Sequence, residues 1–237
     1  KSVFGDYDPV SEETRLIYSS DSPKAGMLKY YDAQNEILIF NSQLPGNADP
    51  TGRLYKINLR TNQVEEFNRP NLEADNYNSY TPYYISSPSD FSATDRKKII
   101  VYSYAQPNNP IAEINIEDPK SDFSNGYQWS SNYNYFAIGS GYSEMRDNKI
   151  EFHRKLNIYT KEGKKVLSQD LTNFNYYSGS QFSPDETKFL MVGITTQKDG
   201  PKIDIPIWQV LDVKTGDQLS DRVVSEDLGL ETVKWLR

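Results

Sequence analysis

Apolar residues in this chain come in short runs set among polar ones. Four runs stand out, at 37–40, 99–102, 136–138 and 189–192. Each is long enough for a strand and too short for a helix, so each reads as a buried central strand. Around them lie half-apolar segments bounded by Asn, Asp, Gly, Ser and Pro, the punctuation of strands and tight turns. No stretch carries the 3.6-residue period of a long amphipathic helix. The pattern predicts an all-β chain.

The pattern also repeats. Gln181-Phe182-Ser183-Pro184-Asp185-Glu186, followed by the 189–192 run, reads as strand, tight turn, strand. Pro presets φ for the turn and Asp bonds its own backbone. Gln128-Trp129-Ser130-Ser131-Asn132-Tyr133, followed by the 136–138 run, has the same shape with a degenerate turn. The aromatic anchors Trp129, Phe182 and Trp235 stand 53 residues apart. A second landmark, strand-turn-strand, falls at 207–219, 155–166 and 53–64. Each unit is then about four short strands in roughly 50 residues, the signature of a β-propeller blade. A sandwich also strings together short strands, but it would not repeat both landmarks in step.

Inner strands are expected near 28–31, 82–85, 127–130, 180–183 and 233–236, with further strands at 2–6 and 15–19. The simplest closure pairs the C-terminal strand with the N-terminal ones, which removes both free edges. The expectation is one domain over 1–237, an antiparallel propeller of five blades. A piece of a longer six- to eight-bladed propeller is the alternative. Met27 to Leu38 also resembles the second landmark, which leaves the early register open.

Composition narrows the chemistry. There are no Cys residues and one His, His153. That excludes disulfides, a thiol nucleophile, a Cys zinc site and any site of several His ligands. The net charge is −7, and the longest basic run is Arg96-Lys97-Lys98, which disfavours nucleic acid. Mean hydropathy is −0.74, and no apolar stretch approaches the roughly 18 residues of a spanning helix. Lys1-Ser2-Val3-Phe4-Gly5 has no signal-peptide core. No Asn is followed at the second position by Ser or Thr, so no N-glycan acceptor exists. With the lack of Cys, this points to a bacterial, extracytoplasmic or cytosolic protein, read as a monomer.

The segment from Phe182-Ser183-Pro184-Asp185 to Val192, followed by Trp208 to Gly216, resembles a blade of the TolB-type propeller with its WD40-like repeat. Glu186 stands where that family usually has Gly. The other units keep fragments, such as Trp129-Ser130. The resemblance implies a bacterial, often extracytoplasmic, binding or scaffolding propeller. It implies no catalytic residue, and fold by itself does not set function.

In a propeller two sets of loops gather at one face, where ligands usually sit. One set holds Asn76-Tyr77-Asn78-Ser79-Tyr80 and Asn173-Phe174-Asn175-Tyr176-Tyr177, which share the pattern Asn-aromatic-Asn-x-Tyr. Tyr and Asn combine rigid amphipathic area with adaptable hydrogen bonds, a pairing suited to docking a protein or a glycan. Asn76, Tyr77, Tyr80, Asn173, Phe174, Tyr176 and Tyr177 are therefore candidate ligand-binding residues. Asn132-Tyr133-Asn134-Tyr135 looks alike but falls in a hairpin, so the bland alternative is compositional bias with rings packed between blades. The other set is read as long loops at 41–52, 139–151 and 195–206. The middle one carries Glu144, Arg146 and Asp147, and Arg146 and Asp147 join the candidates.

No catalytic constellation emerges. A Ser-His-Asp triad would need His153 with Ser140 or Ser143, but Gly139-Ser140-Gly141 lacks nucleophile-elbow spacing. Asp6-Tyr7-Asp8 and Asp199-Gly200 do not build an EF-hand, there is no phosphate loop, and no cofactor or metal is assigned. The leading expectation is a non-enzymatic binding or scaffold propeller. The alternative is a carbohydrate-active hydrolase or lyase using carboxylates at the channel mouth.

Overall fold

The computed structural model describes residues 2–8, 13–20, 27–42, 53–67, 81–86, 97–147, 149–171, 180–196, 204–220 and 223–224. Among these the chain is all-β, with no helix. In chain order the strands are β1 (Ser2–Asp8), β2 (Glu13–Ser20), β3 (Met27–Asp32), β4 (Ile37–Ser42), β5 (Arg53–Asn58) and β6 (Gln63–Phe67). There follow β7 (Tyr83–Ser86), β8 (Lys98–Ser103), β9 (Gln106–Asn115), β10 (Asp122–Trp129), β11 (Tyr135–Arg146) and β12 (Lys149–Thr160). The last are β13 (Lys165–Asp170), β14 (Gln181–Phe182), β15 (Lys188–Thr196), β16 (Asp204–Asp212) and β17 (Val223–Val224).

The strands form meanders in which each pairs with its neighbour in sequence. Three sheets have four strands, β3-β4-β5-β6, β10-β11-β12-β13 and β14-β15-β16-β17. A fourth meander, β7-β8-β9, has three, and β1 pairs with β2 alone. Every pairing with a recorded register is antiparallel. The apolar runs are the second strands of these meanders, as expected. Leu38, Val101, Phe136, Phe189 and Val192 are fully buried. Strands covered on both faces need near-continuous apolar sequence, which explains why the runs were visible.

The chain divides into two compact units, residues 1–86 with 102–110, and 87–101 with 111–237. In the first, Leu38, Phe40, Tyr55 and Ile57 form a core against Leu28 and Leu59. Tyr104 stacks on Tyr30 and tilts against Tyr84. In the second, one face of β10–β13 packs on β14–β17 through Ala137, Leu156, Ile158, Phe182, Phe189 and Met191.

The turns are as repetitive as the strands. Ser130 and Ser183 each open a first hairpin and donate N–H to the carbonyl five residues on, in Tyr135 and Lys188. Each serine hydroxyl accepts the N–H of that same residue. Tyr133 and Glu186, three residues after each serine, both have φ near +60°. The Asx turn is also reused. Asp32, Asn58 and Asp212 each accept the N–H groups two and three residues on. The resemblance of Met27–Leu38 to the later landmark is this shared turn chemistry. Asp32 sits between the first and second strands of its sheet, whereas Asn58 and Asp212 follow third strands.

Three expectations need adjustment. The strand expected at the end of the 207–219 landmark is a single bridge, Leu211 to Gln218, and the fourth strand is β17. The segment 139–151 is not a loop but the continuation of β11 and β12. Its Gly, Ser and Glu content reads as loop. Yet the cross-strand register runs unbroken from Tyr135↔Thr160 to Arg146↔Lys149. The 195–206 segment is likewise strand at both ends, with Thr196 paired to Asp204. The inner strand expected at 233–236, and with it the closure, lies outside the described residues.

Candidate functional site

The site is built by the far half of β11 and β12. Strand β10 last pairs with β11 at Asp122↔Gly141, and β13 last pairs with β12 at Lys155↔Asp170. Beyond those points, among the described residues, β11 and β12 pair only with each other. Residues 142–153 thus form a two-stranded arm about 16 Å long, taking about 3.3 Å per residue. Asp147 turns the chain at its tip with φ +48°.

Because side chains alternate, the arm has two unlike faces. One continues the face of Ala137 and Ile158, which lower down packs into the core with β14–β17. On the arm this face presents Met145 opposite Ile150, then Phe152 opposite Ser143. Their exposures are 74%, 59% and 42% for Met145, Ile150 and Phe152, large for apolar side chains at adjacent positions. The Arg154 guanidinium stands 4.6 Å from the Phe152 ring centroid.

The other face is polar and begins in a relay that runs from the exposed Ser168 to the buried Asn157 and Ser140. Ser168 donates to Asn157 Oδ1 at 2.9 Å, and Asn157 Nδ2 donates to Ser140 Oγ at 2.8 Å. Farther out Tyr142 and His153 stack with centroids 4.5 Å apart and planes 15° apart. Lys120 reaches in from the β9–β10 connection, 5.4 Å from the Tyr142 centroid and 3.6 Å from Glu144 Oε2. Glu144 lies directly opposite Glu151, and Arg146 Nη1 is 3.9 Å from Glu151 Oε2. His153 Nε2 is 3.2 Å from Glu144 Oε1. It is nonetheless shielded from solvent and has no hydrogen-bond partner. The two atoms are close enough for an ion pair but not aligned for a hydrogen bond. Ligating atoms of Glu144, Glu151 and His153 all lie within 4.8 Å of one another.

Of the sequence candidates, Arg146 and Asp147 lie at the end of this arm, Arg146 against Glu151 and Asp147 in the turn. Asn76, Tyr77, Tyr80, Asn173, Phe174, Tyr176 and Tyr177 lie outside the described residues. Ser140 bonds Asn157, and Ser143 opposes Phe152 on the face away from His153, so neither serine is placed to pair with the imidazole. Sequence reading missed the grouping of Glu144, Glu151 and His153. Treating 139–151 as a loop hid it. Read as a hairpin about Asp147 and Asn148, the same residues fall opposite one another by count alone.

The neighbouring hairpin turn is locked to this sheet by Glu186. Its carboxylate accepts the N–H of Asn132 and the Nδ2–H of Asn134, each at 2.7 Å. Burial works to raise its pKa. Bonds from Ser130, Asn134 and the backbone of residues 132 and 134 outweigh that and lower it.

No protein-family description matches the chain, and no curated protein does. Among solved structures it is similar to a puromycin-hydrolysing peptidase of Mycobacterium tuberculosis, with TM-score 0.45 and 14% identity over 85% of this chain and 32% of that one. An oligogalacturonate lyase from Vibrio parahaemolyticus gives 0.44 and 13%, over 90% and 58%. The Dos1 propeller gives 0.41 and 10%, over 84% and 60%. The chain spans less than two thirds of each of these, and likenesses at this level carry no argument about fold or activity.

Proposed function

We propose that the chain is a binding module, a TolB-like propeller of five blades, and that the β11–β12 arm docks a protein partner. One observation carries this reading. Met145, Ile150 and Phe152 form a continuous apolar face on an element that no third strand supports among the described residues. Apolar area gathered on a projecting element, with charge on its reverse, is a mark of an interaction site. An arm whose edges no described strand covers also offers main-chain groups for strand addition by an extended segment. The Tyr/Asn-rich segments at 76–80 and 173–177 are proposed, from their sequence alone, as further binding segments for a protein or glycan, in an extracytoplasmic bacterial setting.

A photo-crosslinking amino acid placed at position 150 tests the reading in an extract of the source cells. A discrete protein adduct is expected. Combined Met145→Ser and Phe152→Ser should reduce it at least tenfold without changing the far-UV dichroism. Partner capture without an adduct from position 150 would sink the arm as the docking element. Processing of a glycan, abolished by Glu151→Gln, would instead favour the hydrolase or lyase that paired carboxylates can build.

A further inference from the structure

We infer that Glu144, Glu151 and His153 form a binding site for a divalent transition-metal ion on the polar face of the arm. The argument begins with a conflict. Two carboxylates stand directly opposite each other across a strand pair, where like charges destabilise. Lys120 and Arg146 answer them only loosely, at 3.6 and 3.9 Å, and each does so through an Oε2 atom. Glu144 Oε1 is turned instead toward His153 Nε2.

That nitrogen is the second observation. A buried polar atom without a partner is costly, and the great majority of such atoms are satisfied. The His153 side chain is 37% exposed, but its Nε2 atom is shielded and makes no hydrogen bond, although Glu144 Oε1 lies 3.2 Å away. Two ligand atoms on one tetrahedral zinc ion, with bonds of about 2.0–2.1 Å, stand about 3.3–3.4 Å apart. They converge on a common point rather than on each other. The 3.2 Å separation of Nε2 and Oε1 matches that arrangement, and a Glu151 carboxylate oxygen lies within 4.8 Å of both.

The surroundings suit a ligand set. Tyr142 stacks flat on the imidazole and holds its plane. Lys120 stands 3.6 Å from Glu144 Oε2 and Arg146 3.9 Å from Glu151 Oε2, where second partners of ligating carboxylates commonly stand. One imidazole with two carboxylates is a donor set for zinc or manganese, and it favours these over Mg²⁺, which seeks an all-oxygen shell. Three protein ligands leave a fourth position for water or for a donor from a bound partner. Among the described residues no second such group of ligating side chains occurs. The site does not depend on the docking proposal, and each is read out separately.

The experiment uses the fact that His153 is the only histidine in the chain. In ¹⁵N-labelled protein stripped with a chelator, its imidazole nitrogens give one isolated pair of NMR signals. Titration with ZnCl₂ should move the Nε2 signal with one-to-one stoichiometry, and an equal concentration of MgCl₂ should leave it in place. Calorimetry should show Glu144→Gln and Glu151→Gln each weakening zinc at least tenfold, and His153→Gln doing so as well. An unmoved imidazole signal overturns the site. So does zinc affinity that survives both glutamine substitutions, because a lone surface histidine would then explain the binding.

Discussion

At the scale of single residues, Glu186 shows how a sequence can break a local rule and recover the loss nearby. Its φ of +60° is a conformation that L side chains seldom adopt and that Gly takes without steric cost. The carboxylate meets that cost by holding Asn132 and Asn134 in the turn of the next sheet. Glu186→Ala keeps the strain and removes the bonds, so it should destabilise by about 2 kcal/mol in urea unfolding. Glu186→Gly removes both, and should cost only about 1 kcal/mol. A glycine variant as unstable as the alanine one would mean that the backbone conformation is not a source of strain.

Asp185, beside it, is a pH-sensitive part of the same turn. The Ser183 hydroxyl donates to it at 2.6 Å, and the Thr187 N–H and hydroxyl add two more bonds. Together they hold its pKa down to about 2. A carboxylate depressed in the folded state stabilises it above the unfolded pKa, near 3.8, and loses that contribution as pH falls through the folded value. Asp185→Ala should therefore melt below the parent at pH 6. The gap should close between about pH 4 and pH 2, measured by thermal melts across that window. The same turn was legible in the sequence because Ser-Pro-Asp has local chemistry. The carboxylate bridge from Glu186 was not, since it spans 52 residues to Asn134.

At the scale of elements, the arm depends on a close approach at its base. A Cβ on Gly141 would lie 2.2 Å from the His153 carbonyl oxygen and 3.0 Å from Arg154 Cα. Both are backbone atoms, so the strands themselves would have to part. Gly141→Ala should cost at least about 2 kcal/mol, as overpacking typically does. It should also displace the imidazole signal of His153 while the fully buried Phe136 and Ile158 farther down the sheet keep theirs. Unchanged stability would show that the strands are not in such close contact there. The arm reads as loop because Gly139-Ser140-Gly141 and Asp147 carry turn chemistry at its base and tip, although Lys149 to His153 alternates charged and apolar residues as a strand does. Strand detection from sequence rests on a buried face, and a two-stranded arm buries neither face fully.

At the scale of the whole chain, the repeat was the legible feature. Runs such as Phe189 to Val192 must be apolar on both sides to sit second in a four-stranded sheet, so their period shows through low similarity. The anchors Trp129 and Phe182, 53 residues apart, begin matching hairpins, and even the hydrogen bonds of Ser130 and Ser183 correspond. Chemistry was less legible. Tyr/Asn-rich segments attract notice in a sequence by composition. A Glu-Glu-His grouping attracts it only when two strands are laid in register.

The unbroken pairing of β11 with β12 has a consequence for variation in length. Gly141 faces Arg154 with no bulge between there and the tip. Removing or adding matched residues, two on each strand, keeps every remaining side chain on its own face. The arm can therefore be trimmed, extended or exchanged as a cassette while the four-stranded sheet below keeps its register. Natural variants and laboratory grafts that differ in even steps here should be tolerated. A single-residue step on one strand would turn the apolar and charged faces over on one side of the tip and scramble both at once.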